Sequence, residues 1–293
     1  MPSVVRFSPD LSGWLVACLA QGQTPAALVQ IMIGERMDPR VARAIVDAFV
    51  LARRSGQPTP VDSLTIEDES AEYVDAAPRV PPRARLLAND REVPVLACLE
   101  QPVVAALGNV LSAEECAELI ELARPRLSPS TIVNPYSGQD EVAAQRTSFG
   151  MFFRLGETPL VARLDRRISE LMQLPVENGE GFQVLHYPVG TAAAPHFDFL
   201  EPSNEANRAS ISRSGQRVST LITYLNEVES GGETWFPELG FSVLPVHGNA
   251  VYFEYFNAAG QVDHRSLHAG NRVLSGEKWV ATKWMRQRRF VSA

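Results

Sequence analysis

The stretch APHFDFL, residues 194–200, places a histidine and an aspartate two residues apart between phenylalanines. In a β-strand, side chains two positions apart project from the same face. His196 and Asp198 are therefore expected to point to one place, while Phe197 and Phe199 point away from it. An imidazole and a carboxylate aimed together suit either a hydrogen-bonded surface pair or two ligands of a metal ion.

Short segments of strand-like composition follow and precede this stretch, and turns rich in glycine, proline and asparagine separate them. They are GFQVLHY (181–187), RVSTLITYL (217–225), ETWFP (233–237), FSVLPV (241–246), NAVYFEYF (249–256) and KWVATKWMR (278–286). Many short strands with such turns predict a sandwich or a barrel. Two helices are predicted before them, one starting at the Ser112–Glu115 capping box and one over about 159–172.

Composition divides the chain into three parts. Residues 1–57 follow helical apolar spacing and predict a small helical domain for docking or dimerisation, with Asp38-Pro39 as one helix start. Residues 58–94 become acidic and then rich in proline and arginine, which predicts a linker. Residues 95–293 contain the strand segments and every candidate residue for chemistry.

The bulk properties narrow the classes of partner. A chain of 293 residues with a net charge of −7 and a pI near 5.4 is a poor ligand for nucleic acid, whose phosphates favour basic surfaces. The apolar run at 14–20 is too short to span a bilayer, so no membrane association is expected. The three cysteines lack metal-ligand spacing, and free thiols favour a cytoplasmic location.

A set of two histidines and one carboxylate leaves three coordination positions open and suits a non-haem ferrous ion. The candidates for a distal histidine are His186, His247, His264 and His268. His268 precedes Lys278 by ten residues, and a hairpin could bring the two together. Lys278 and Lys283 are the only lysines among 27 basic residues, so a lysine in an apolar strand indicates a specific need, such as a ligand carboxylate.

Alternation along 278–286 places Lys278, Thr282 and Trp284 on one strand face, where they can line one cavity. Lys283 is expected on the opposite face, in solvent. The polar segment 201–216 directly follows the histidine–aspartate pair and is expected to be a long loop that acts as a lid.

Taken in order, several segments resemble the prolyl 4-hydroxylase branch of the iron- and 2-oxoglutarate-dependent dioxygenases. They are RTSFGMF (146–152), VLHYPVG (184–190), PHFDF (195–199), GQRVSTLITYLNEVESGGETWFPELGFSVLPVHGNAVYFEY (215–255) and SLHAGNRVLSGEKWVATKWMR (266–286). The resemblance implies an α+β fold with a double-stranded β-helix, or jelly-roll, catalytic domain and flanking helices. The small helical domain would precede it.

The resemblance also implies roles for individual residues. Iron ligands are expected at His196, Asp198 and His268. Lys278 is expected to pair with the distal carboxylate of 2-oxoglutarate. The remaining matches are Tyr187, Thr234 and Trp284, which hold the co-substrate or line its pocket in relatives, and Arg146 and Arg217, which contact peptide substrate in relatives.

The implied reaction hydroxylates a prolyl residue of a peptide or protein with release of succinate and CO2. It uses Fe(II), 2-oxoglutarate and O2, with ascorbate as a candidate reductant. Relatives that bind peptidyl proline often carry an aromatic residue at the position of Ala193, so a free amino acid or another small molecule is an alternative substrate. A metal-binding protein without oxygenase activity is a further alternative, although zinc needs no lysine ten residues after its last ligand. An adaptor that recruits its substrate through residues 1–57 is another.

Overall fold

The computed structural model describes residues 3–55, 58–66, 73–129, 132–133, 140–141, 148–202 and 205–292. The chain consists of two compact units, Met1–Glu72 and Tyr73–Ala293. The division between them falls inside 58–94, the range for which the sequence predicts a linker.

The first unit combines three helices with a pair of antiparallel strands. Its elements are β1 (Ser3–Arg6), α1 (Pro9–Ala20), α2 (Pro25–Gly34), α3 (Pro39–Ser55) and β2 (Ser63–Ile66). Each helix begins at a proline, and the residue before it, Ser8, Thr24 or Asp38, accepts a hydrogen bond from a backbone N–H of the first turn. Strand β2 lies within the expected linker, so part of that range is ordered by pairing with β1.

In its described residues, the second unit contains three α-helices and the remaining strands. The helices are α4 (Ala113–Ala123), α5 (Pro159–Leu171) and α6 (Glu205–Ser214). The strands are β3 (Arg85–Ala88), β4 (Arg91–Glu100), β5 (Val103–Leu107), β6 (Ser128–Pro129), β7 (Ile132–Val133), β8 (Asp140–Glu141), β9 (Phe149–Phe152), β10 (Gln183–Tyr187), β11 (Ala193–His196), β12 (Arg217–Tyr224), β13 (Ser230–Gly231), β14 (Thr234–Phe236), β15 (Phe241–Val243), β16 (Ala250–Glu254), β17 (His268–Gly270), β18 (Val273–Ser275) and β19 (Lys278–Arg286).

Antiparallel sheets dominate this mixed α/β unit. In the described part of the chain, one sheet has nine strands in the order β3-β4-β5-β16-β12-β19-β10-β9-β6, and a smaller one has four in the order β11-β17-β14-β15. Helix α4 begins with the predicted capping box, in which Ser112 and Glu115 each accept from the other's backbone N–H. Strand β3 and the start of β4 lie inside the expected linker, where they pair with each other.

Both faces of the nine-stranded sheet are covered. On one face, Leu164 and Ile168 of α5 and Leu119 of α4 pack in a core with Val184 and Leu221 of the sheet. On the other face, the core includes residues from both sheets, among them Leu185, Phe236 and Val280. Adjacent residues of one strand thus enter different cores, which explains why the central strands β12 and β19 are buried at nearly every position.

Burial of both faces overturns the expectation that Lys283 is solvated. Every residue of β19 is buried, and Lys283 lies on the face covered by α5. Its Nζ donates to Asp165 Oδ1 at 2.6 Å and lies 4.7 Å from the centroid of the Phe182 ring. The alternation of side chains correctly predicted that Lys283 and Lys278 lie on opposite faces of β19. It could not show that helix α5 covers the face on which Lys283 lies.

The segment 201–216, expected to be a long loop, contains helix α6 instead. The side chain of Gln216 bridges the two ends of this segment, since its Oε1 accepts from Leu200 N and its Nε2 donates to Leu200 O. The C-terminal tail also holds the helix, because Arg288 donates to the carbonyls of Ile211 and Ser212. Hydrogen bonds from distant residues therefore order a stretch whose sequence is locally polar.

Among the residues that the structure describes, no helix is both long enough and apolar enough to cross a lipid bilayer.

Candidate active site

Two short strands bring two of the predicted ligands together. Strands β11 and β17 pair antiparallel, with His196 directly opposite His268. Asp198 does not lie in the strand with His196 as expected, because β11 ends at His196 and the chain then bends. The bend still returns the carboxylate to the histidines, and the ligating atoms of the three residues lie within 4.8 Å of one another.

The two imidazoles are held in the orientation that a metal ligand needs. Nδ1 of His196 lies 2.8 Å from the carbonyl oxygen of Ala194, and Nδ1 of His268 lies 3.0 Å from that of Ser266. A carbonyl oxygen can only accept, so each Nδ1 carries a proton, which leaves Nε2 as the nitrogen that can bind a metal. Backbone hydrogen bonds of this kind are typical of metal-binding histidines.

The carboxylate of Asp198 is buried and stays ionised. Its Oδ1 lies 3.7 Å from His196 Nε2, and its Oδ2 lies 3.7 Å from His268 Nε2. Burial alone would raise the pKa of Asp198, but the neighbouring His268 and His196 rings and Arg217 outweigh it and hold the pKa at about 2. Two imidazoles and one carboxylate form a donor set that fits a ferrous ion.

The other three histidines lie elsewhere. His186 is 2.7 Å from Glu277 and stacks on Trp279, on the opposite face of β10 from the cavity. His247 is exposed in a turn, as its sequence predicted. The ring of His264 packs edge-on against the phenylalanines on either side of Asp198, with centroids 5.3 and 5.4 Å away.

A cavity that is open to solvent lies between the two sheets, and the three candidate ligands line it. Four of the predicted co-substrate residues line it together. They are Tyr187, Thr234, Lys278 and Trp284. The alternation of β19 therefore places Lys278 and Trp284 in one cavity, as the sequence predicted.

Lys278 is a buried cation inside this cavity. Only 4% of the residue is exposed, and among the described residues no carboxylate forms an ion pair with its Nζ. The Nζ instead lies over the rings of Tyr187 and Tyr224, at 5.5 and 5.7 Å from their centroids. Burial lowers the pKa of Lys278 to about 8, and Glu233 offsets this effect only in part. The site is therefore suited to receive an anion.

Thr234 is oriented by a residue that the sequence analysis did not identify. The hydroxyl of Tyr224 donates to Thr234 Oγ1 at 2.7 Å, and both residues are buried. Because Thr234 accepts this bond, its own proton remains available to a ligand in the cavity. In the sequence, Tyr224 is indistinguishable from the other large residues of a buried strand. Its hydroxyl comes to lie beside Thr234 only in the folded protein.

Arg217 is engaged by other groups of the protein. Its Nε and one terminal nitrogen donate to the two carboxylate oxygens of Glu180 at 2.7 and 2.8 Å. Its guanidinium also lies 4.1 Å from the centroid of Trp284, and its other terminal nitrogen donates to the carbonyl of Asp198 at 3.2 Å. These bonds support the cavity wall, while a contact with substrate stays a prediction. Arg146 lies outside the described residues.

Comparisons with known proteins identify the family. The sequence profile of the 2OG-Fe(II) oxygenase superfamily matches residues 182–286. Prolyl 4-hydroxylase 1 of Arabidopsis thaliana is 42% identical over 202 residues, which cover 64% of this chain and 70% of the relative. The chain belongs to the 2OG-Fe(II) oxygenase superfamily. It resembles the prolyl 4-hydroxylase branch within it.

Two further comparisons agree with this membership. The prolyl 4-hydroxylase subunit alpha-1 of Homo sapiens is 36% identical over 189 residues, which cover 64% of this chain and 35% of the subunit. The crystal structure of a viral collagen prolyl hydroxylase from Paramecium Bursaria Chlorella virus-1, in complex with 2OG, is 28% identical with a TM-score of 0.50. That similarity covers 62% of this chain and 95% of the viral one.

As a 2OG-Fe(II) oxygenase, the protein is an oxidoreductase that uses Fe(II), 2-oxoglutarate and O2. Because the chain belongs to this superfamily, we reject the alternative of a metal-binding protein without oxygenase activity. The cavity agrees, because a bare metal site would not require the buried cation at Lys278.

Proposed function

We propose that this oxygenase hydroxylates a prolyl residue of a peptide or protein and releases succinate and CO2. The observation that carries the proposal is one cavity that contains both the histidine–aspartate–histidine set and the buried Lys278. The curated relatives named above are prolyl 4-hydroxylases, with 36% and 42% identity to this chain.

We assign the metal to Nε2 of His196, Nε2 of His268 and the carboxylate of Asp198. Bound Fe(II) supplies the oxidation chemistry, and the protein positions the reactants and limits access of water. Lys278 pairs with the distal carboxylate of 2-oxoglutarate, and the Thr234 hydroxyl donates to the same group. These roles are supported by the distances and burial described above.

We further propose that the two facing sheets form a double-stranded β-helix. The order of strands in both sheets supports this, because neighbours such as β12, β16 and β5, or β11 and β17, are far apart in sequence and antiparallel. The two histidine ligands lie on the smaller sheet, Asp198 follows its strand β11, and Lys278 lies on the larger sheet, across the same cavity.

An aromatic surface at the cavity mouth suits a proline-containing peptide. Phe152 of β9 is 55% exposed and pairs across the sheet with Gln183, which lines the cavity. The ring of Phe152 lies 6.5 Å from that of Trp284, so the two rings continue the cavity wall outward. Apolar rings are favourable surfaces for proline-rich segments, which approach with little loss of conformational entropy.

One observation favours a second substrate class, a free amino acid or a similar small molecule. Ala193 is buried and lines the cavity. A methyl group leaves space where relatives that bind peptidyl proline often carry an aromatic ring. A compact substrate would then occupy the space beside Ala193.

We propose that residues 1–57 act as a helical docking domain, 58–94 as a connecting segment and 95–293 as the dioxygenase domain. The described residues that line the cavity all belong to 183–284, which supports placing the chemistry in the last part. The three cysteines are free thiols, which supports a cytoplasmic location.

The test is a turnover assay with matched substrates. The protein is reconstituted with Fe(II) without oxygen, and succinate and substrate mass are measured after O2 is added. A proline-containing peptide is expected to gain one oxygen atom, while the same peptide with alanine for each proline is not. Oxidation of free L-proline with no reaction of the peptide would favour the small-molecule alternative. Absence of succinate with every substrate would overturn the proposed function.

A further inference from the structure

A chain of two buried hydroxyls ends on the carboxylate of Asp198. The Thr220 hydroxyl donates to Asp198 Oδ2 at 2.7 Å, and the Tyr255 hydroxyl lies 2.9 Å from Thr220 Oγ1. Thr220 and Tyr255 are both fully buried, between the two sheets. Neither residue is among those that line the cavity.

The direction of these hydrogen bonds follows from the number of protons. An ionised carboxylate can only accept, so the single proton of Thr220 points to Asp198. Thr220 then has only lone pairs to offer, and Tyr255 must be the donor of the second bond. Tyr255 therefore fixes the rotation of the Thr220 hydroxyl, and Thr220 engages Oδ2.

The carboxylate is also placed symmetrically between the two imidazoles. Oδ1 lies 3.7 Å from Nε2 of His196, and Oδ2 lies 3.7 Å from Nε2 of His268. A carboxylate in this position could offer one oxygen or both to a metal. The oxygen that already accepts a charge-assisted hydrogen bond is the weaker metal ligand of the two.

We propose that Thr220 and Tyr255 are positioning residues that engage Oδ2 of Asp198, so that this carboxylate offers Oδ1 alone to the metal. The inference rests on the proposed role of Asp198 as a ligand. It has a consequence for the reaction, because three protein ligand atoms leave three of six positions for 2-oxoglutarate and O2. A second carboxylate oxygen would remove one of those positions.

The chain provides well-matched variants for a test. Tyr255→Phe removes only the hydroxyl and keeps the ring that packs near Phe199 and Phe253. Thr220→Val removes the hydroxyl that donates to Asp198 with little change of side-chain shape. Thr220→Ser keeps a hydroxyl at this position. Tyr252→Phe is the control, because Tyr252 is a buried tyrosine three residues earlier whose hydroxyl donates to Glu254 instead, at 3.0 Å.

The first readout is the affinity for Mn(II), measured by calorimetry on the metal-free protein in the absence of 2-oxoglutarate. Loss of a residue that orients a metal ligand typically weakens binding by about 10- to 100-fold. We expect a loss in that range for Thr220→Val, because the carboxylate of Asp198 is then no longer held in one orientation, and a loss of roughly 10-fold for Tyr255→Phe. Thr220→Ser and Tyr252→Phe are expected to bind Mn(II) within about threefold of wild type.

The second readout is the visible spectrum of the Co(II)-loaded protein, which reports the number of ligand atoms. Thr220→Val is expected to change this spectrum, and Thr220→Ser is expected to restore it. A residue that merely stabilised the fold would alter the melting temperature but leave the spectrum of the loaded protein unchanged.

The outcomes separate this inference from the proposed function. Wild-type affinity and an unchanged spectrum in Thr220→Val would overturn the inference while the iron site stands. Equal Mn(II) affinity in Tyr255→Phe and Tyr252→Phe would overturn the part assigned to Tyr255. If Thr220→Val does not fold, the Mn(II) affinities of Tyr255→Phe and Tyr252→Phe are compared instead, and a weaker affinity in Tyr255→Phe alone supports the inference. Absence of metal binding in the wild type would instead overturn the proposed iron site itself.

Discussion

Replacing Lys278 by methionine is expected to weaken 2-oxoglutarate binding and, at the same time, to stabilise the ligand-free protein. Methionine keeps an unbranched apolar side chain of similar length and removes the ammonium. The ammonium is buried, and among the described residues no carboxylate forms an ion pair with it. Removing a buried, unpaired charge relieves the folded state of a desolvation penalty.

The pKa of Lys278 gives the magnitude. Burial lowers it from 10.5 to about 8, which corresponds to about 3 kcal/mol against the charged amine in the cavity. Below pH 8 the amine is charged in both the folded and the unfolded protein, so the full desolvation penalty destabilises the folded protein. Lys278→Met should therefore raise the free energy of unfolding by up to about 3 kcal/mol at pH 7.

Ligand binding is expected to change in the opposite direction. With the ammonium gone, the distal carboxylate of 2-oxoglutarate enters the cavity without its partner, at a cost of about 3 kcal/mol or roughly 100-fold in affinity. In the wild type above pH 8, binding of 2-oxoglutarate requires Lys278 to take up a proton from solution. Its dissociation constant should therefore be flat below pH 8 and rise about tenfold per pH unit above it.

Calorimetry on the Mn(II)-loaded protein from pH 6.5 to 9.5 measures the affinity, and thermal unfolding of the metal-free protein measures the stability. Mn(II) affinity of the variant should equal that of wild type, because Lys278 is not a candidate ligand. A variant that binds 2-oxoglutarate within about twofold of wild type would refute the pairing. A variant that is less stable than wild type in the ligand-free state would refute the account of the buried charge.

Three further predictions follow from the described contacts. His268→Ala should abolish Mn(II) binding in equilibrium dialysis while His264→Ala retains it, and the reverse result would contradict the choice of ligand. Lys283→Met leaves the carboxylate of Asp165 buried without its partner and should lower the free energy of unfolding by about 3–5 kcal/mol in urea. Adding Asp165→Asn should recover part of that loss, and an additive loss would contradict a direct ion pair. A protein that begins at Tyr73 should fold and bind Mn(II) and 2-oxoglutarate, and a folded truncation that binds neither would contradict a separate docking unit.

Local sequence was sufficient for features that depend on neighbouring residues. The capping box at Ser112 and Glu115 and the helix start at Asp38-Pro39 form within one turn, and both are present in the structure. Alternation placed Lys278 and Trp284 on one face of β19, because the two-residue period of a strand does not depend on what packs against it. The family motifs also predicted the oxygenase superfamily correctly.

Several features required the tertiary structure, because residues distant in sequence create them. Lys283 is paired with Asp165 because α5 covers the second face of β19, and nothing in the local sequence of β19 reports that helix. Helix α6 forms where the sequence predicted a loop, because the C-terminal tail supplies hydrogen bonds to its carbonyl groups.

The candidate site shows the same division. The sequence by itself determined which residue types could bind a metal and an anion, since His196, Asp198 and Lys278 carry that chemistry wherever they lie. Only the fold decided their geometry. It placed His268 opposite His196 across β11 and β17, and it brought Tyr255 to Asp198 through Thr220. The physical reason is that strand periodicity is a property of a few consecutive residues, whereas register and burial arise from pairing between strands that are far apart in the chain.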